Sequence, residues 1–216
     1  PNIIYNVAPE VVDKPEIHDG ITFYFQSYLR PTYNIEGLID AFSRIRGDAK
    51  LVIQGEFFDE SYKMRLTQHI SSSQRFEDIS LLPACEYEDV VQSASHFDVG
   101  VDPINSKVNG VENESFRFAL ANKFFTYISA GLCVASSFYP VQKRFIDEHK
   151  CGITFDPNNA DEFVGALQYL VDHPEEVKNM KNCALKLAQE INIYTEQEKF
   201  VQICEGALAS IGALVD

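Results

Sequence analysis

The segment Phe118-Ala-Leu-Ala-Asn122-Lys123-Phe124-Phe-Thr126-Tyr-Ile-Ser-Ala-Gly131 joins a capping residue to a lysine at the start of an apolar helical pattern. Asn122 suits an N-cap, and the backbone N–H groups at such a helix start form a ready anion site. Lys123 in the first turn opposes the helix dipole, and an anionic ligand would remove that conflict. The plainer alternative is a routine cap followed by a solvated lysine. A second basic residue, Arg30, lies in Gln26-Ser27-Tyr-Leu-Arg30-Pro-Thr-Tyr33-Asn34. Small residues such as Ser27 let backbone approach a phosphate, and Arg30 could neutralise its charge. The plainer reading of Arg30 is a solvated loop arginine.

The remaining candidates carry less. Asp98 opens a strand and reads as a local hydrogen-bonding residue rather than a base. Glu112 and Glu114 sit in a polar loop and could reach a ligand or simply be solvated. Cys133 lies inside an apolar strand and reads as core. No Ser/His/Asp or Cys/His order, metal-ligand spacing, G-x-G-x-x-G or P-loop pattern is present.

These residues need a frame, and the chain supplies one. Short apolar runs at 21–25, 51–53, 79–82, 97–101, 132–135 and 152–155 read as strands. Between them lie helical patterns at 34–46, 60–70, 87–95, 122–130 and 140–149. The tail from 160 to 214 reads as helical, interrupted at Pro174 and near Asn192. Strand alternating with helix predicts an α/β fold: a doubly wound, Rossmann-like parallel sheet with helices on both faces and a helical C-terminal tail. Ligands in such folds bind beyond the carboxyl ends of the strands. That singles out the loops 26–34, 54–60, 83–87, 102–122 and 136–140. Residues 1–20, rich in Pro and Gly, read as a linker, and 21–216 as one domain.

The chain has 216 residues and a formal charge of −14, which argues against nucleic acid and anionic membrane surfaces as partners. No apolar run has membrane-spanning length and no signal peptide is present. The five cysteines form no paired motif and read as reduced thiols in a cytoplasmic compartment. A start at Pro1 rather than Met reads as a segment of something longer.

The same pieces resemble the retaining, two-Rossmann-domain (GT-B) glycosyltransferases of the family that includes sucrose and glycogen synthase-like enzymes and many bacterial polysaccharide transferases. Ile4-Tyr-Asn-Val-Ala-Pro is similar to the interdomain linker, Leu51-Val-Ile-Gln-Gly to "LVIxG", and Tyr87-Glu-Asp-Val with Phe97-Asp-Val-Gly-Val-Asp-Pro to "yeDl…aDvGvxP". Leu120-Ala-Asn122-Lys123-Phe-Phe-Thr126-Tyr-Ile-Ser-Ala-Gly131-Leu-Cys-Val-Ala-Ser-Ser is similar to "LPNKxFEYxxAGxPVxxS". There are departures. The two glutamates of the family's E-x7-E motif fall at Phe118 and Thr126. The basic residue and glycine of its first phosphate loop fall at Tyr33 and Asn34.

The resemblance implies that this is the donor-binding half of an enzyme moving a sugar from a nucleoside diphosphate to a hydroxyl acceptor. An N-terminal domain that this chain lacks would supply the acceptor site. Arg30 and Lys123 would act on the leaving diphosphate. Ser27, Gln54, Gly55, Glu56, Pro83, Tyr87, Asn122, Phe124 and Thr126 would bind the donor. Neither metal nor cofactor is implied, the nucleotide sugar being a substrate. The acceptor would be a carbohydrate, lipid-linked or protein hydroxyl, and attachment to a membrane would come through the other domain. The departures keep a second expectation open, a non-catalytic relative serving as an interaction or regulatory module.

Overall fold

A computed structural model describes residues 3–7, 12, 20–105, 107–108, 111–112 and 118–212, with backbone only at 107–108, 111–112 and 210–212. The strands are β1 (Ile21–Gln26), β2 (Ala49–Gln54), β3 (Ile79–Leu82), β4 (Val99–Asp102), β5 (Lys107–Val108), β6 (Val111–Glu112), β7 (Cys133–Ser137) and β8 (Gly152–Phe155). The helices are α1 (Ile35–Arg44), α2 (Glu60–Ser71), α3 (Val90–Ala94), α4 (Asn122–Ser129), α5 (Pro140–His149), α6 (Ala160–Asp172), α7 (Pro174–Glu190) and α8 (Ile193–Gly212). β5 and β6 form a short antiparallel ladder inside the stretch read as a polar loop. The other six strands form one parallel sheet of order β3-β2-β1-β4-β7-β8.

Alternation along the strands builds the two faces. Phe23, Phe25, Leu51, Ile53, Val99, Val101, Cys133 and Ala135 point to a core shared with α1, α2 and α6. Tyr24 and Val134 point the other way, into a core with α3, α4, α5 and α7. Burial on both faces is why the strands read as continuous apolar runs rather than as an alternating pattern. Cys133 is fully buried, and burial raises its thiol pKa well above the usual range, which fits its reading as core.

The chain winds outward from β1 to β3, then returns to place β4 on the other side of β1. The switch point therefore lies between β1 and β4. Their pairing stops at Phe23–Val99 and Tyr24–Gly100. Beyond it the Tyr127 hydroxyl fills the gap, accepting from Gln26 N at 3.2 Å and donating to Val101 O at 3.3 Å. Gly100 makes this possible, since a Cβ there would stand 2.2 Å from the Tyr127 ring. Full burial keeps the Tyr127 hydroxyl protonated by pushing its pKa well up.

The loops after β1 and β2 run side by side. Leu29 N donates to Glu56 O at 2.7 Å and Phe58 N to Leu29 O at 2.9 Å. Gly55, at φ +153, lets them meet, because a Cβ there would fall 1.8 Å from Ser27 O.

Candidate functional site

A cavity of about 470 Å³ opens at the switch point, beyond the carboxyl ends of β1 and β4. Gln26, Ser27 and Tyr28 line it from β1 and its loop, with Tyr33 beside them. Asp102 lines it from β4, and Asn122 and Lys123 from the start of α4. Two of the loops singled out from the sequence, 26–34 and 102–122, thus meet in one place.

Lys123 is the centre of this site and is not a solvated lysine: only 7% of it is exposed. Its Nζ lies 4.2 Å from the centroid of the Tyr33 ring and 4.7 Å from that of Phe25. Asp102, at the last position of β4 and 2% exposed, brings Oδ1 to 3.0 Å from Nζ. The two atoms form an ion pair by distance but are not aligned as a hydrogen bond. Among the described residues, each remains a buried polar atom without a hydrogen-bond partner. Native interiors rarely leave such groups unmet, and a catalytic role or a bound ion or water is among the accepted reasons.

Sequence reasoning named Lys123 but missed Asp102. The signal was there, since Asp102 is the polar last residue of an otherwise apolar strand, Val99-Gly-Val-Asp102, stopped by Pro103. A carboxylate in that place needs a partner.

Asn122 is the first residue of α4, not its cap. Ala121, extended at φ −69 and ψ 151, holds the cap position with no side-chain bond. The Asn122 side chain is turned outward to the linker, where its Oδ1 accepts from Asn6 Nδ2 at 2.9 Å. Tyr5 anchors that linker on Phe125 and Phe145 through ring contacts of 5.1 and 5.8 Å. Arg30 does not line the cavity. Its guanidinium stacks over Tyr33 at 4.6 Å and donates to the Tyr33 hydroxyl at 2.9 Å, so it reaches the site only through that ring.

Two other residues named for this helix are turned away from the cavity. Phe124 is fully buried in the core, and its N–H donates to Ala121 O at 2.9 Å. Thr126 is 6% exposed, and its hydroxyl donates back to Asn122 O at 3.2 Å. Phe124 lies about 100° around α4 from Lys123, on the face packed into the core, and Thr126 lies one turn further along the helix.

The residues named after β2 and β3 gather elsewhere. Gly55, Glu56 and Pro83 line a second cavity, of about 630 Å³, at the carboxyl ends of β2 and β3. Gln54 lies beneath it with both ends engaged: Oε1 accepts from Tyr24 at 2.6 Å and Ser93 at 2.9 Å, and Nε2 donates to Pro83 O at 3.0 Å. Tyr87 is exposed in a 3-10 turn and lines neither cavity. Phe118 is also exposed. The side chains of Glu112 and Glu114 lie outside the described residues.

A third groove, of about 640 Å³, runs along α5, but its Lys143 is already paired with Asp147 at 2.7 Å. Among the described residues, no three His, Cys, Asp or Glu are grouped to hold a metal. No helix among them is long and apolar enough to cross a membrane.

Comparison with known proteins bears on this geometry. The sequence profile described as "Glycosyl transferases group 1" matches residues 9–187. No curated protein sequence matches significantly. Among solved structures, sucrose-phosphate synthase from Thermosynechococcus elongatus superposes with a TM-score of 0.72 at 14% identity, over 89% of this chain and 46% of its own. HepE from Anabaena in complex with UDP does so at 0.70 and 12%, over 87% and 49%. The catalytic domain of cholesterol-α-glucosyltransferase from Helicobacter pylori gives 0.57 and 16%, over 80% and 99%. At these identities the likeness is one of fold. The chain spans about half the length of the first two proteins.

Proposed function

The chain belongs to the glycosyl transferases group 1 family, and on that premise we propose that the cavity over Lys123 binds the diphosphate of a nucleotide-sugar donor. The chain is then the donor-binding half of an enzyme that transfers the sugar to a hydroxyl acceptor. The observation that carries this reading is the Lys123 ammonium, buried at the cavity without a hydrogen-bond acceptor. Asp102 offsets its charge without accepting a hydrogen bond, so the ammonium keeps donors to give, and a phosphate oxygen is a strong acceptor for them.

The roles follow from position. In transfer, the bond between the sugar's anomeric carbon and the diphosphate oxygen breaks, and the acceptor hydroxyl forms the new bond while giving up its proton. Negative charge grows on the leaving diphosphate. Lys123 and the first backbone N–H groups of α4 stabilise that charge. Arg30 acts at one remove, by holding Tyr33 against Lys123. The second cavity, between the ends of β2 and β3, offers the nucleoside a place beside Gly55, Glu56 and Pro83. HepE of Anabaena, a structural relative, has been solved with UDP and with UDP-glucose. The acceptor site belongs, on this reading, to the half of the enzyme that this chain does not contain.

One observation favours the second reading, a non-catalytic relative. Thr126 and Phe118 stand where the family has its glutamates. Thr126 is bonded back into its own helix, and Phe118 offers no acceptor at all.

An NMR titration of the 216-residue chain with UDP, GDP and ADP separates the two. The donor-binding reading expects shifts in the amides of Ser27, Tyr28, Asn122 and Lys123. Shifts confined to α7 and α8, or none at millimolar nucleotide, support the non-catalytic reading.

A further inference from the structure

Lys123 explains why an anion would enter the cavity, but not why the same cavity keeps a carboxylate. Asp102 is more deeply buried than Lys123, and its Oδ1 has no hydrogen-bond donor. It is also held firmly: the Ser137 hydroxyl lies 3.1 Å from Asp102 O and 2.6 Å from Ile104 O, tying the end of β4 to the end of β7. A carboxylate accepts hydrogen bonds and donates none. It repels phosphate, so the part of the ligand that faces it must carry hydrogen-bond donors, which in a nucleotide sugar are chiefly the hydroxyl groups of the sugar.

Resting on the donor-binding reading above, we propose that Asp102 accepts a hydrogen bond from a hydroxyl of the donor's sugar and so helps to determine which sugar is bound. The order of the strands gives the direction. The second cavity lies on β2 and β3, the Ser27 loop on β1, and Asp102 on β4. Neighbouring strands are roughly 4.8 Å apart. A nucleoside over β2 and β3 places its diphosphate near β1 and Lys123, and the next group along the edge, over Asp102, is the sugar. The 3.0 Å between Nζ and Oδ1 sets an anionic oxygen and a hydroxyl side by side, as they are at the junction of phosphate and sugar. Ribose hydroxyls would lie on the opposite side of the diphosphate, toward β2.

The test compares sugar nucleotides with the matching bare diphosphates by calorimetry. UDP-glucose, UDP-galactose, UDP-N-acetylglucosamine, GDP-mannose and ADP-glucose are set against UDP, GDP and ADP, on the native chain and on Asp102→Asn. For the sugar nucleotide that the native chain binds best, Asp102→Asn lowers affinity on the order of tenfold or more, as for a lost hydrogen bond to a charged group. The matching diphosphate binds the variant as well as before or more tightly, because Lys123 has lost its counter-charge. Equal loss for both ligands, or loss for neither, overturns the proposal and leaves the donor-binding reading standing. If the native chain binds none of the ligands, that reading falls and this assignment falls with it.

A second measurement does not depend on the fold of the variant. Monodeoxy analogues of the best-bound sugar are titrated into the native chain. Removal of one sugar hydroxyl costs about tenfold. Indifference to every sugar hydroxyl, or sensitivity confined to a 2′,3′-dideoxyribose analogue, overturns the assignment.

Discussion

Strand β4 has a buried lysine–aspartate pair at each end, and the two pairs are built differently. At the amino end, Lys181 Nζ donates to Asp98 Oδ1 at 2.7 Å and to Phe97 O at 3.1 Å. Asp98 Oδ2 accepts from the Thr22 N–H at 3.0 Å and the Thr22 hydroxyl at 2.6 Å. At the carboxyl end, Lys123 and Asp102 lie 3.0 Å apart, unaligned, with Nζ and Oδ1 without hydrogen bonds. Burial is almost the same: Asp98 and Lys181 are both 6% exposed, Asp102 2% and Lys123 7%. Composition and depth therefore do not separate the two pairs. What separates them is whether the remaining hydrogen-bonding capacity is met inside the protein or left to face a cavity. A buried pair repays its desolvation only when its other donors and acceptors are satisfied. The Asp98 pair meets that condition within the protein, and the Asp102 pair leaves Nζ and Oδ1 facing the cavity.

Three substitutions test the contrast. The largest effect is expected at Lys181→Ala, which leaves Asp98 charged and buried at the closed end of the sheet. Breaking such a pair costs about 3–5 kcal/mol, or roughly 10 °C in melting temperature at about 2–4 °C per kcal/mol for a domain of this size. Thermal denaturation followed by circular dichroism reads it, and a change of less than a few degrees would remove the distinction drawn here.

Lys123→Ala follows, with the opposite balance. It should weaken UDP, GDP or ADP binding tenfold or more, about 1.5–3 kcal/mol for a charge-assisted contact. It should cost less stability than Lys181→Ala, because water in the cavity can solvate Asp102. Calorimetry and a melt on the same sample give both numbers. A melting loss as large as that of Lys181→Ala, with unchanged nucleotide affinity, would make the two pairs alike.

The smallest effect belongs to Tyr127→Phe, between the two ends. It leaves Gln26 N–H and Val101 C=O without the hydroxyl that joins them, at about 1 kcal/mol. Hydrogen exchange of the Gln26 amide should rise well above that of the flanking β1 amides. Unchanged exchange there would mean that the hydroxyl does not hold the floor of the site.

Much of the fold was legible because it rests on short-range pattern. The strand β8 at 152–155, the helix α5 at 140–149, and the breaks before Pro174 and near Asn192 fall where apolar runs, Gly and Pro set them. The β5–β6 ladder was not legible, since two residues per strand leave no periodicity to read. The site was legible by loop, in that all of the cavity lining except Lys123 and Gln142 comes from the loops 26–34 and 102–122. It was less legible by side chain. Asn122 scores as a cap on residue type, yet the extended residue that caps the helix is Ala121, and the Asn122 amide is taken by Asn6, 116 positions away. Thr126 and Phe124 share a short helix with Lys123, and which of them meets the cavity depends on the rotation of that helix against the sheet.

The sequence by itself determined the alternation of strand and helix, the parallel sheet covered on both faces, and the edge of that sheet where a ligand would bind. These follow from spacing along the chain, which local sterics and burial convert directly into structure. Tertiary structure alone decided that Lys123 is buried rather than solvated, and that Asp102 and Tyr33 are what surround it. Each of those facts depends on residues far apart in the chain being brought together, Asp102 from β4 and Tyr33 from the loop after β1. No local pattern encodes the distance between side chains that only the packed sheet and helix bring together.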